Sequence, residues 1–126
     1  MAPVDRVTLT LPAIGEYART ARLTAAELAT RVGMDIDDVD DVKLAVEEAF
    51  IFAAQRAEGH EVTLAFELTE SSIGLVVGPF PGPCEDDTGS DTGRRYARFI
   101  LESICDEFEV VDRDRQCFLR LAKRAD

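Results

Sequence analysis

Only one histidine, His60, and three widely spaced cysteines, Cys84, Cys105 and Cys117, occur in the 126 residues. None of them has a close Cys or His partner, so no metal site is expected. An odd number of distant cysteines fits free thiols in a reducing cytosol better than a disulfide framework. Bases are scarce: 14 Lys and Arg stand against 25 Asp and Glu, for a net charge of −11. Phosphates repel such a chain, which argues against nucleic acid as a partner. No apolar run approaches the ~18 residues of a membrane span. The start, Met1-Ala2-Pro3-Val4-Asp5-Arg6, lacks the basic-then-apolar plan of a secretion signal. The expectation is a cytoplasmic protein with no membrane partner. With 5 Pro and 8 Gly against 46% hydrophobic residues, the chain is neither fibrous nor disordered. Its length suits one domain, so residues 1–126 are read as a single unit.

What is present is strong periodicity. Val7, Leu9 and Leu11 alternate with polar residues up to Pro12, which reads as a half-buried strand. Ile14, Tyr17, Ala21, Ala25, Leu28 and Val32 recur by three or four, between Pro12 and Gly33, and predict a helix over about 14–32. Five aspartates lie in the seven residues beginning at Asp35. Carboxylates favour a helix N-terminus, so this run reads as the start of a second helix. The stripe Val39, Val42, Val46, Ala49, Phe50, Ala53 carries that helix to about Ala57. Val62 to Leu68 and Ile73 to Val77 alternate and predict a hairpin. Between Gly78 and Gly93 the pattern collapses among Pro79, Pro81, Gly82 and Pro83, predicting a long loop. Tyr96, Phe99, Ile100 and Ile104 predict a third helix. Phe108–Val110 and Cys117–Leu121 predict two last strands, turned around Asp112-Arg113-Asp114. The order β-α-α-β-β-loop-α-β-β implies an α+β fold: a two-layer α/β sandwich, its mixed, mostly antiparallel sheet covered by helices on one face.

Three stretches carry a resemblance to a known family. They are Leu11-Pro12-Ala13 followed by Glu16-Tyr17-Ala18-Arg19; Asp41-Val42-Lys43-Leu44-Ala45-Val46-Glu47-Glu48-Ala49; and Ile104-Cys105-Asp106-Glu107-Phe108-Glu109-Val110. With the element order they resemble the switch-type anti-sigma-factor serine kinases of bacteria, small GHKL (Bergerat-fold) ATPase domains. The second stretch is similar to the family's "KLAVSEA" helix. The resemblance covers nearly the whole chain.

The resemblance implies a nucleotide site in three parts, and the chain departs from each. The family places a glutamate and, four residues on, an asparagine on one helix face; a spacing of four aligns both side chains. The glutamate activates the attacking hydroxyl and the asparagine amide oxygen helps hold magnesium. Glu48 matches the general base, while Phe52 stands in the asparagine position. A phenyl ring supplies none of the oxygen ligands that magnesium demands. The family's Asp-x-Gly-x-Gly aligns with Gly78-Pro79-Phe80-Pro81-Gly82: Gly78 replaces the adenine-reading aspartate, Phe80 the first glycine, and only Gly82 survives. In the family's phosphate-binding turn, Gly93 matches the first glycine but Arg95 and Ala97 replace later ones. Arg94, Arg95 and Arg98 are then read as a solvated basic helix face rather than a phosphate clamp.

These departures imply a protein without the family's ATP and magnesium, in which Glu48 is vestigial. The expected activity is that of an anti-sigma-factor-like regulator acting by protein contact. Its expected partners are a sigma factor or an anti-sigma-factor antagonist, met through the first helix, where Arg19 matches a family arginine and Arg22 lies on a similar face. The acidic surface suits a basic partner, and the family's habit implies a homodimer. The alternative is an active ATP-dependent serine kinase that phosphorylates an antagonist, resting on Glu48 alone. A third reading, a divergent domain whose cleft takes another small molecule, requires a ligand-sized space beside Glu48.

Overall fold

The computed structural model describes residues 5–82, 84 and 92–125, with side chains from 98 onward in the last stretch. The chain forms β1 (Asp5–Pro12), a short 3-10 turn (Gly15–Tyr17), α1 (Ala18–Arg31), α2 (Ile36–Arg56), β2 (Glu61–Leu68), β3 (Ser72–Pro81), α3 (Thr92–Ile104), β4 (Glu107–Arg113) and β5 (Gln116–Arg124). The strands make one sheet in the order β1-β2-β3-β5-β4, and each recorded pairing is antiparallel. The helices cover one face, as the α+β reading expected.

Alternation decides which face is covered. Val62, Leu64, Phe66 and Leu68 of β2, Ile73, Leu75 and Val77 of β3, and Leu119 and Leu121 of β5 are buried. Period-two spacing sends all of them to the helix side. α1 meets α2 along a face of small residues. Ala21, Ala25 and Ala29 on one helix, and Ala45, Ala49 and Ala53 on the other, are almost fully buried, which lets the backbones approach closely. Ile14 is an exception to the predicted stripe: it precedes the 3-10 turn and is half exposed.

The aspartate run divides its work. Asp35 caps α2, accepting a 2.8 Å hydrogen bond from the Asp38 backbone N–H, as the predicted helix start requires. Asp38 turns inward and is buried. Lys123 Nζ lies 3.8 Å from its carboxylate and 3.4 Å from that of Asp41, and donates to the Ile104 carbonyl at 3.1 Å. This lysine ties β5 to the start of α2 and the end of α3.

Two turns differ from expectation. The β4–β5 reversal centres on Asp114 and Arg115, both with positive φ (54° and 68°). That is the two-residue hairpin turn whose twist matches the flanking strands, one residue or more beyond the predicted turn. The predicted loop from Gly78 begins later, because β3 continues to Pro81. Gly78–Pro79 is cis and Gly78 has φ +147°. The register shifts between Val77 and Phe80, after which Phe80 pairs with Cys117 and Pro81 with Gln116. The last β2 partner of β3 is Thr63, opposite Gly78. Beyond that point β3 is an edge, where prolines without N–H groups are tolerated. Glu85, Asp86, Asp87 and Asp91, the acids of the predicted loop, lie outside the described residues.

Candidate functional site

Glu48, Phe52 and Arg56 follow one another at intervals of four along α2, so they share one stripe of the helix. An acid, a ring and a base line up where the family resemblance expects an acid and an amide. The Phe52 ring meets the Phe80 ring edge to face, with centroids 5.7 Å apart and planes at 76°. Phe80 is buried and Phe52 half-buried. The Arg56 guanidinium lies 5.0 Å from the Phe52 centroid and 5.7 Å from that of Phe80, within reach of a cation–π attraction to both. Phe52 and Phe80 therefore pack on each other, and Arg56 covers the pair. The sequence reasoning missed Arg56; its position four residues after Phe52 was the available signal. The chain contains no asparagine at all.

Glu48 is partly buried beside Glu47, and burial, then the Glu47 charge, raises its pKa above 4.5. Glu47 itself bonds to Arg22 at 3.3 Å. A raised folded-state pKa means that the fold disfavours the Glu48 carboxylate. The contribution favouring the fold is complete below pH 4.5 and is lost as pH rises through the folded value. Glu48→Gln is expected to raise Tm at pH 7 by about 1 °C, a small effect because the group is largely solvated. Scanning calorimetry at pH 7 and pH 4 should show the gain shrink at the lower pH.

The glycines serve β5 and the cysteines. A Cβ built on Gly78 would lie 2.7 Å from the Cys117 carbonyl oxygen and 2.8 Å from Phe118. With φ at +147° as well, no aspartate fits there without moving backbone. A Cβ on Gly82 would lie 3.4 Å from the Cys84 nitrogen and 3.5 Å from the Cys117 sulfur. Cys84 and Cys117 form a disulfide, with Cα atoms 5.2 Å apart. The expectation of three free thiols is thus corrected: only Cys105 is free. Strand register brings the pair together, since Phe80 lies opposite Cys117 and the chain reaches Cys84 four residues later. Gly93 lies in the first turn of α3.

Of the arginines, Arg19 is exposed on α1. Arg22 is half-buried and joins α1 to α2 through Glu47, with its Nε buried and without a hydrogen-bond partner. Arg98 bonds to Glu102 at 2.8 Å, and its guanidinium lies 5.9 Å from the centroid of the Phe108 ring. The side chains of Arg94 and Arg95 lie outside the described residues. An open groove of about 630 Å³ runs past Ala57, His60, Thr63, Pro79, Phe80 and Gln116, and a cavity of about 10 Å³ lies between α2 and the sheet beside Cys105. Neither is lined by Glu48 or Phe52. Among the described residues, no cluster of three or more His, Cys, Asp or Glu forms a metal site, and no helix is long and apolar enough to cross a membrane.

A model of the histidine kinase-like ATPase domain matches residues 11–123. The chain is similar to the serine-protein kinase RsbW of Staphylococcus epidermidis, at 30% identity over 84% of this chain and 79% of that protein. It is also similar to the serine-protein kinase RsbW of Bacillus velezensis, at 29% identity over 85% and 78% respectively. Among solved structures, the RsbU and RsbW domains of Rv1364c from Mycobacterium tuberculosis superpose with a TM-score of 0.72 at 19% identity. That match covers 97% of this chain and 33% of the other, so this chain spans a third of that longer one. The likeness shows a shared fold.

Proposed function

The chain belongs to the histidine kinase-like ATPase domain family, and from that premise we propose that it is an anti-sigma-factor-like regulator acting by protein contact, without Mg-ATP turnover. The observation that carries this reading is the Phe52–Phe80 contact under Arg56. Magnesium needs oxygen donors in a near-octahedral shell. The stripe offers one carboxylate, Glu48, and then a hydrocarbon ring and a cation. Gly78, held against β5, offers no carboxylate to an adenine amino group. The residues present do not fit the nucleotide with its ion.

Partner binding is assigned to the outer side of α1. Arg19 is exposed there, and Leu23, one turn later, is 55% exposed. Arginine is among the residue types enriched in binding hot spots, and Arg19 is exposed for that role, whereas Arg22 is engaged with Glu47. The partner is a sigma factor or an anti-sigma-factor antagonist, and the net charge of −11 steers toward a basic surface. The protein acts as a homodimer in the cytoplasm. The second reading, a serine kinase phosphorylating an antagonist, has Glu48 in its favour: a partly buried acid with a raised pKa is the kind of group that serves as a general base.

Titration calorimetry with ATP, with and without magnesium, separates the two. The expected result is no binding heat, together with saturable partner binding in the absence of nucleotide. Arg19→Ala should weaken that binding roughly tenfold, and Glu48→Ala should leave it unchanged. Phosphate transfer to an antagonist that disappears in Glu48→Ala would overturn the proposal.

A further inference from the structure

The end of β3 has no strand on one side and is anchored by the buried Phe80 ring, by its pairing with β5 and by one covalent bond. Beyond Gly78 it has no β2 partner. Of the residues 79–82, only Phe80 and Pro81 pair with β5, and prolines at 79 and 81 donate no hydrogen bond. A Cβ built on Gly82 would lie 3.5 Å from the Cys117 sulfur, and Cys84 closes the bond to Cys117. The two ends of that bond differ in access: Cys117 is fully buried, while Cys84 is partly exposed. An attacking thiolate must reach a disulfide sulfur, so access selects Cys84.

We propose that Cys84 is a thiol–disulfide exchange site, opened by low-molecular-weight thiols and closed by low-molecular-weight disulfides, and that its state locks or releases the end of β3. In the opening direction a thiolate attacks Cys84 Sγ. A mixed disulfide forms at Cys84, the Cys84–Cys117 bond breaks, and Cys117 leaves as a thiolate that takes a proton from water. A second thiolate attacks the outer sulfur of the mixed disulfide and releases Cys84 as a thiolate. Two thiols are oxidised to one external disulfide, and the protein disulfide is reduced by two electrons. Closure is the reverse, with the external disulfide as oxidant. The third cysteine does not compete. Burial, partly opposed by Lys123, pushes the Cys105 thiol up to about 11, which leaves little thiolate at neutral pH. The released segment includes Phe80, whose ring closes over Phe52. The inference stands on the disulfide and the β3 edge, independently of the regulatory reading.

The test equilibrates the full chain in glutathione buffers from oxidised to reduced, quenches with acid, and labels with a maleimide in denaturant. Mass spectrometry is expected to count one label in oxidised buffer and three in reduced buffer. Hydrogen exchange at the Phe80 and Gly82 amides should be at least tenfold faster in the reduced form, with Leu64 to Phe66 unchanged. Cys84→Ser should show the fast pattern in every buffer. Three labels in all buffers would mean that no bond forms, and one label in all native buffers would mean a static bond. Equal exchange rates in the two forms would mean that the bond locks nothing. Any of these three results overturns the proposal.

Discussion

Phe80→Ala is expected to destabilise the protein by about 4 kcal/mol, the cost of deleting a fully buried phenyl ring from a packed site. For 126 residues that corresponds to a fall in Tm of about 15 °C. The loss exceeds simple transfer because the ring has fixed neighbours that do not collapse into the space. Phe52 meets it edge to face, Arg56 lies above it, and the β3 bulge sets its backbone against Cys117. Phe52→Ala should cost less, about 1.5 kcal/mol, since that ring is only half-buried. A double-mutant cycle should return a coupling of about 1 kcal/mol between the two rings. Urea denaturation checks these values through the midpoint, with the slope unchanged. The same variant addresses the cleft. Emptying the ring space supplies no amide oxygen, so Phe80→Ala should give no heat with Mg-ATP. A variant as stable as the parent would show that Phe80 does not close the site.

How far the architecture could be read in advance follows from which forces are local. The alternation of Val62 to Leu68 and the stripe from Val39 to Ala53 record burial residue by residue, and the sheet and α2 follow from them. The helix start at Asp35 was legible because capping acts over three residues. That Phe52 and Gly78 supply no oxygen donor was also legible, as this is a property of the side chain itself. That Phe52 and Phe80 touch was not, since the contact joins α2 to β3 across a register shift. The cysteine pairing failed for the same reason. Counting and spacing treat Cys84 and Cys117 as distant, being 33 residues apart. The bulge after Val77 places one beside the other, and no pattern in Gly78-Pro79-Phe80-Pro81-Gly82 announces that register. Ile14 and the turn at Asp114 and Arg115 were misjudged by a residue or two, within the play that apolar periodicity leaves at element ends.

Opening the Cys84–Cys117 bond should lower stability by about 3.5 kcal/mol, the chain-entropy value for a closed loop of this length. The bond spans 33 residues, including α3 and β4, and the oxidised unfolded chain cannot spread them apart. Reduction restores that freedom to the unfolded state. The denaturant slope should therefore rise on reduction, because the unreduced unfolded chain exposes less surface. This signature separates the bond from a packing effect, which moves the midpoint at constant slope. Cys84→Ser, at a partly exposed position, should match the reduced parent in both midpoint and slope. Cys117→Ser should be weaker still, by about 1–2 kcal/mol, since it places a hydroxyl in the fully buried site of a sulfur. Urea titrations of parent and variants, with and without reductant, measure all four quantities. If reduction moved the midpoint of the parent by no more than that of Cys84→Ser, the bond would not constrain the chain, and the β3 edge would be held by its ladder alone.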